Sequence, residues 1–466
     1  MTAAAGWLGP VAVWVAVTLG GRGLLTALGL RRCRVGDWGT SFLLGFTLFT
    51  SLLYAGALVG AAVGAPLILA AAWVVVAGGL LAARRRRLPA PAPVRWSPAE
   101  WVLAGALAVL TLVIVQNALF FPVIALDARS YAGRALYILH DRSLNLALYH
   151  WPGSEGIADT NISYPPLMSL GYAVTYALGG WQPKILTLFF ALAWPLVVYG
   201  VVRSHLSRFA AMAWTLILTL TPEVLAHTTF ALLNLPAMAL ITGEAAALAG
   251  FLDTGRRRWL VPAGVLAAGA AGVRPDAIVV HAALGAAAVL TLILRRDRRV
   301  LVHALPPLLL VGLAPLLTWG SWTLYLATVV HVANLGPVAR GATIGLPLVL
   351  GRLARFLVYW PTFGVTFILW LLTLPFVFTR AGTEARFFRL AVPLVFGALV
   401  VLFSLLDQGF GGGPTDVLNS SFKRALFYAV PLSGLAAALT PPWSRLAARG
   451  RGWVHLEPRG RAHAAD

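Results

Sequence analysis

The sequence predicts an all-α, polytopic membrane protein, and three observations carry that class. Hydrophobic residues make up 59 % of the 466 positions and charged residues 11 %, against roughly 25 % charged in ordinary globular domains. Apolar runs long enough to cross a bilayer recur along the chain. Those runs are continuous rather than alternating, so they suit helices and not barrel strands; lipid leaves the backbone no other way to pair its polar groups. The same composition excludes other classes. A single cysteine, Cys33, rules out a disulfide framework or a cysteine-rich zinc site. The net charge of +20 comes from short clusters between apolar runs, which is the pattern of membrane topology and not of a nucleic-acid surface.

Taking each basic cluster as a cytoplasmic marker puts the elements in order. The first apolar stretch, 8–30, has no basic leader ahead of it, so it reads as a span and not a cleavable signal; Arg31, Arg32 and Arg34 close it. Spans 40–62 and 66–83 follow and end at Arg84 to Arg87, making 1–100 an N-terminal three-helix segment. Span 101–121 opens the main body, 101–441, and leads into a long opposite-side segment, 122–183. Spans 184–202 and 209–226 flank Arg203 and Arg208, and 235–252 ends at Arg256 to Arg258. Then come 259–273, 276–294 before Arg295 to Arg299, 300–320, 361–379 before Arg380 to Arg389, 390–407 and 425–441. A basic tail, 442–466, closes the chain. The total is about 13 spans, with the N-terminus outside, the C-terminus in the cytoplasm and a bacterial plasma membrane as the expected location.

The non-cytoplasmic side carries the polar chemistry. The segments 122–183, 325–360 and 407–424 are too long for simple turns, and long loops in compact proteins are usually functional. They hold Asp127, Asp141, Glu155, Asp159, Asp407 and Asp416. Residues 128–139 have the pattern of an amphipathic helix on the membrane surface. Asp127 stands at its start, with Tyr131 and Arg134 at i+4 and i+7 on one face. Asp127 has two compatible readings: an N-cap accepting orphan amides, and a carboxylate at the bilayer edge whose partial desolvation raises its basicity for general-base work. Further on, Tyr149, His150, Trp151, Asp159 and Tyr164 interleave rings with hydrogen-bonding groups. That mixture suits a sugar, whose apolar face rings cover and whose hydroxyls polar groups reach; for any single ring, an interfacial aromatic belt is the commoner explanation. His140 and His150 could hold a divalent metal with Asp127 or Asp159, but they lack metal-ligand spacing, so a metal is not favoured and no other cofactor is expected. Residues 164–180 read as a juxtamembrane helix.

These motifs resemble the GT-C superfamily of membrane glycosyltransferases, including protein O-mannosyltransferases, lipid A aminoarabinose transferases and lipopolysaccharide glycosyltransferases. Asp127, in Leu126-Asp127-Ala128-Arg129-Ser130-Tyr131, matches the acidic residue early in the family's first outer loop. Tyr164-Pro165-Pro166-Leu167 matches its Pro-Pro-Leu motif, Arg274-Pro275-Asp276 its basic turn, and Lys423-Arg424-Ala425-Leu426-Phe427-Tyr428 with Pro431 its final Arg-Tyr…Pro segment. The resemblance covers about 100 to 441. At Asn234, in Asn234-Leu235-Pro236-Ala237, many relatives have an acidic residue; an amide cannot act as a base, so a second acidic role either is absent or passes to Asp159, Glu223 or His227.

What the resemblance implies is transfer of a sugar from a polyprenyl-phosphate to an extracytoplasmic acceptor hydroxyl on lipid, glycan or protein. Asp127 would act as base with inversion at the anomeric carbon. Cations near the departing phosphate lower the barrier; Arg274, Lys423 and Arg424 lead the candidates, followed by Arg352 and Arg355, which share a helical face. Tyr131, His150, Trp151, Asp159, Tyr164, His227 and Asn234 are the expected sugar or acceptor contacts. Two rival readings stand beside this one. A transporter or flippase of a lipid-linked glycan would use intramembrane charge such as Arg22, Glu223 or the mid-span Glu244, although no internal repeat is visible. A glycan polymerase or ligase would use outer arginines and a histidine without an early-loop aspartate.

Overall fold

A computed structural model of the protein describes residues 5–84, 86, 96–123, 126–150, 162–295, 298–331, 343–379, 381–406 and 413–449. Among these residues, nine helices are long and apolar enough to cross a membrane, or ten if one bent pair counts as a single span. Helices α1 (Ala5–Leu28), α2 (Gly36–Leu58) and α3 (Ala65–Ala83) pack together, and α2 docks them on the rest. The crossing of α1 and α3 depends on missing side chains: a Cβ on Gly79 would overlap the Gly20 carbonyl. Small-residue contacts of this kind hold helices together where lipid removes the hydrophobic drive. Helix α4 (Pro98–Phe120) starts with a capping box in which Ser97 and Glu100 each accept the other's amide.

The 122–183 segment contains α5 (Leu126–Asp141), a single 3-10 turn (Ala147–His150) and α6 (Leu167–Ala177). The two helices expected there are present, with ends shifted by a few residues. Helix α7 (Lys184–His205) returns across the bundle. The 209–226 span is bent: α8 (Arg208–Thr219) meets α9 (Pro222–Thr229) at 68°, because Pro222 has no amide to continue α8. Helix α10 (Asn234–Thr254) is buried along its whole apolar window, so it is the central helix of the bundle.

Three further expected spans prove short or broken. Helix α11 (Leu260–Val273) has 14 residues, about 21 Å of helix against a hydrocarbon core of about 30 Å. After α12 (Ala277–Leu294), α13 (Arg298–Tyr325) and a π-turn (Leu326–Val330), the chain forms α14 (Leu346–Val358). The 361–379 stretch then divides into α15 (Trp360–Phe363), α16 (Thr366–Leu371) and a 3-10 turn (Leu374–Phe376). Gly364 at φ +56° and Pro375 interrupt it. The 390–407 span is α17 (Thr383–Ser404). The 425–441 stretch follows α18 (Pro414–Val417) and a π-turn (Leu418–Phe422), and divides into α19 (Lys423–Leu426) and α20 (Ala429–Ala438) before α21 (Trp443–Arg449).

Polar contacts sort the helix ends into two sets. At one end, Arg32 reaches Glu384 at 2.5 Å and also bonds the Ala246 carbonyl, while His205 bonds the same Glu384. Arg22 pairs with Asp37 at 3.2 Å, Arg208 with Glu100 at 3.6 Å, and Arg295 donates to the Leu252 carbonyl. Residues of the predicted cytoplasmic clusters 31–34, 203–208 and 295–299 therefore meet at one end. The ends of α4, α9 and α7 gather at the other, where Lys184 Nζ donates to the carbonyls of Asn117 and Thr229, each at 3.1 Å. One apolar core continues between the two ends.

Candidate active site

The end opposite the basic clusters brings six separate segments together. Asp127 lies in the first turn of α5, and its Oδ2 accepts from Arg424 Nη1 at 2.5 Å. The next cation along, Lys423, goes elsewhere: its Nζ stands 3.1 and 3.2 Å from the two oxygens of Glu223, in the first turn of α9. Adjacent residues of α19 thus draw in carboxylates from two different elements. The π-turn just before Lys423 adds a residue to the local helical turn, a device frequent at functional sites. Asn234, at the start of α10, donates from Nδ2 to the Arg424 carbonyl at 3.4 Å. Its amide positions the α19 backbone.

A third ion pair lies beside these two. Arg274, 7 % exposed after α11, makes a bidentate bond to Asp276 at 2.9 and 3.0 Å. The Tyr428 hydroxyl donates to the same carboxylate at 3.2 Å. The Arg274 guanidinium sits 5.6 Å from the Tyr164 ring centroid and 6.0 Å from that of Tyr428, so two rings and a carboxylate hold its plane. Tyr164 is fixed in turn by Arg134 of α5, which donates to the Tyr164 carbonyl at 2.8 Å and lies over Trp322. Tyr131 packs edge-on to Tyr164 at 6.1 Å. Burial pushes the Tyr131 hydroxyl well above its ordinary range, and neighbouring Tyr164 adds to this while Arg274 opposes it. Tyr131 is therefore a neutral hydroxyl throughout the physiological range.

His227 completes the group. It is buried beside Phe427, with ring centroids 4.6 Å apart, and its Nδ1 faces the Glu223 carbonyl at 2.8 Å. A neutral imidazole so placed donates from Nδ1 and leaves Nε2 as an acceptor; that Nε2 is buried with no hydrogen-bond partner among the described residues.

The structure therefore brings together Asp127, Tyr131, Tyr164, His227, Asn234, Arg274, Lys423 and Arg424. Other candidates stand apart. His150 bonds Asn145 at 2.7 Å. His140 bonds Asp141 at 2.8 Å, and although burial works against the Asp141 charge, this bond and the Ala147 amide hold its carboxyl below the usual range. No three His, Cys, Asp or Glu side chains gather as metal ligands among the described residues. Arg352 and Arg355, on α14, form no ion pair there. Trp151, Glu155, Asp159 and Asp407 lie outside the described residues.

Two partners at the site were not selected from the sequence as ligands of its cations. Asp276 stands two residues from Arg274 across a proline, a spacing that turns both side chains to one side of the turn. Glu223 follows Thr221-Pro222, a helix-start signal with an acidic first turn. No family model matches the chain, and neither a curated protein nor a solved structure matches it.

Proposed function

We propose that the chain is a membrane glycosyltransferase that moves a sugar from a polyprenyl-phosphate to an acceptor hydroxyl outside the cytoplasm, using a GT-C-like arrangement of about 13 crossings. That count takes the bent pair and the short α11, α15–α16 and α19–α20 stretches as crossings. One observation carries the reading: carboxylates and cations from α5, α9, α19 and the 274–276 turn converge at the helix ends opposite the basic clusters. The positive-inside rule assigns the basic end to the cytoplasm, and so assigns the site to the external face.

The chemistry needs a base at the acceptor and positive charge at the leaving group. The acceptor oxygen attacks the anomeric carbon as the bond from that carbon to the phosphate oxygen breaks. The electron pair leaves with the phosphate, and Asp127 takes the hydroxyl proton. Arg424 and Lys423 stabilise the growing phosphate charge, with Arg274 as a third cation held by its rings. The ion pairs also set an order of events. A phosphate arriving at Arg424 and Lys423 competes with Asp127 and Glu223 for them, and so releases the Asp127 carboxylate next to the bond that reacts. Tyr131, Tyr164, His227 and Asn234 supply hydroxyl, ring, imidazole and amide contacts for sugar or acceptor.

The direct test is transfer from a labelled polyprenyl-phosphate sugar by the purified protein in proteoliposomes. Glycoside formation that Asp127→Asn abolishes, with protein abundance unchanged, supports the assignment. Movement of the labelled lipid across the bilayer without glycoside formation identifies the flippase alternative instead.

A further inference from the structure

We infer that α14 is a docking face for anionic phospholipid headgroups, held by Arg352 and Arg355. This inference does not depend on the glycosyl-transfer reading. The helix has 13 residues, about 20 Å in length, and presents three faces. Val349 and Phe356 are buried and mark the side packed on the protein. At about 100° per residue, Leu346 and Leu350 lie about 90° to one side of that direction, and both are exposed. Arg352 and Arg355 lie about 80° to the other side. One helix thus carries a buried face, a flank on which Leu346 and Leu350 are exposed while Leu353 and Leu357 pack on the core, and a flank that bears both arginines around exposed Leu348.

Several observations select a lipid surface as the occupant. Residues 343–379 contain Arg352 and Arg355 and no Asp or Glu. Among the described residues neither guanidinium makes an ion pair, and Arg355 instead lies 5.5 Å from the Tyr359 ring centroid. Tyr359 and Trp360 follow the helix, 42 % and 68 % exposed, where amphipathic rings anchor a segment at headgroup level. The chain before the helix is tied to the end of α17 by bonds from the Ile344 and Gly345 amides to the Leu406 and Ser404 carbonyls. An in-plane helix at a span end, apolar toward the acyl chains and basic toward the headgroups, binds by both terms together. The lipid held there borders the candidate site: Phe356 meets Phe363 of α15 at 6.0 Å, and α15 packs on α9, which carries Glu223.

The test uses the full chain in nanodiscs of mixed phosphatidylglycerol and phosphatidylcholine, with retained lipids counted by native mass spectrometry. Wild type should retain phosphatidylglycerol selectively. The double variant R352Q/R355Q should lose about tenfold of that selectivity, while R352K/R355K should stay within about threefold of wild type, because an interfacial phosphate responds to charge. Millimolar inorganic phosphate should leave the retained lipid in place. A photo-crosslinker at Ala354 in the wild-type background should capture phosphatidylglycerol over phosphatidylcholine, a readout independent of how the Gln variant folds. Unchanged selectivity in R352Q/R355Q, equal loss in the Lys variant, or equal capture of both lipids would overturn the proposal. Displacement by inorganic phosphate, or a dimer that disappears with the arginines, would replace it with a soluble anion or a second copy.

Discussion

Asp127 and Arg424 are 297 positions apart in the chain and 2.5 Å apart in space. The Asp127 carboxylate is the proposed base, and it also occupies the cation that the phosphate needs. Replacing it therefore has two effects of opposite sign. Asp127→Asn should lower turnover by about 10²–10⁴-fold, the usual worth of a general base, and should tighten binding of a polyprenyl-phosphate, since the neutral amide competes weakly for Arg424. Turnover assays and equilibrium binding on the same preparation check the pair of outcomes; weaker lipid binding in the variant would reject the competition. Tyr131 gives a pH prediction. Its buried hydroxyl keeps its proton in the folded state well above the pH at which the unfolded chain loses it, so its contribution to stability is complete below pH about 10 and declines as pH rises further. The melting temperature of wild type should fall more steeply above pH about 10 than that of Tyr131→Phe.

At the scale of elements, α10 and α12 are joined inside the bundle by a bond of 2.5 Å between Glu244 and His281. Glu244 is fully buried at mid-helix, and no step of the proposed transfer uses it. The bond satisfies a polar atom of each group away from water and ties the two helices together. Glu244→Ala leaves a buried imidazole without its hydrogen-bond partner and should cost about 1–3 kcal/mol, seen as a drop in thermal or detergent unfolding midpoint; Glu244→Gln, which retains an acceptor, should cost clearly less. A near-normal midpoint for the alanine variant would show that the bond bears little of the packing. The element pattern was legible in sequence to different degrees. Long uninterrupted runs such as 66–83 and 276–294 correspond closely to α3 and α12, because apolarity and length alone define a span. The 209–226, 361–379 and 425–441 runs are equally apolar but bent or broken. Hydropathy averages over Pro222, Gly364 and Pro375 and does not register the breaks they introduce in the helical hydrogen-bond run.

For the whole molecule, the lone cysteine offers a direct test of sidedness. Cys33 stands between α1 and α2 at the basic end, and Ser420 is exposed just before α19 at the other. A membrane-impermeant thiol reagent should label Cys33 in inverted vesicles but not in intact cells. Cys33→Ser combined with Ser420→Cys should show the reverse. Labelling of both positions from one side would contradict a bundle with two oppositely facing ends, and with it the external placement of the site.

Composition and charge order by themselves determined the membrane class, the helical secondary structure and the division of the chain into two polar ends, because these follow from what a bilayer accepts at each position independently. The candidate cations and Asp127 were visible as charges on the non-cytoplasmic side and were singled out by the motif resemblance, since a lone cation at a membrane edge more often faces the headgroups. Their pairing was not. Lys423 and Arg424 are neighbours in sequence, yet one takes Glu223 and the other Asp127, and Arg274 takes neither but turns to Asp276 and two tyrosine rings. Those choices depend on the angle of the α8–α9 bend, the extra residue in the π-turn before α19 and the packing that brings α5 over the bundle. Directional contacts between groups hundreds of residues apart exist only once the helices are assembled, so only the tertiary structure decided them.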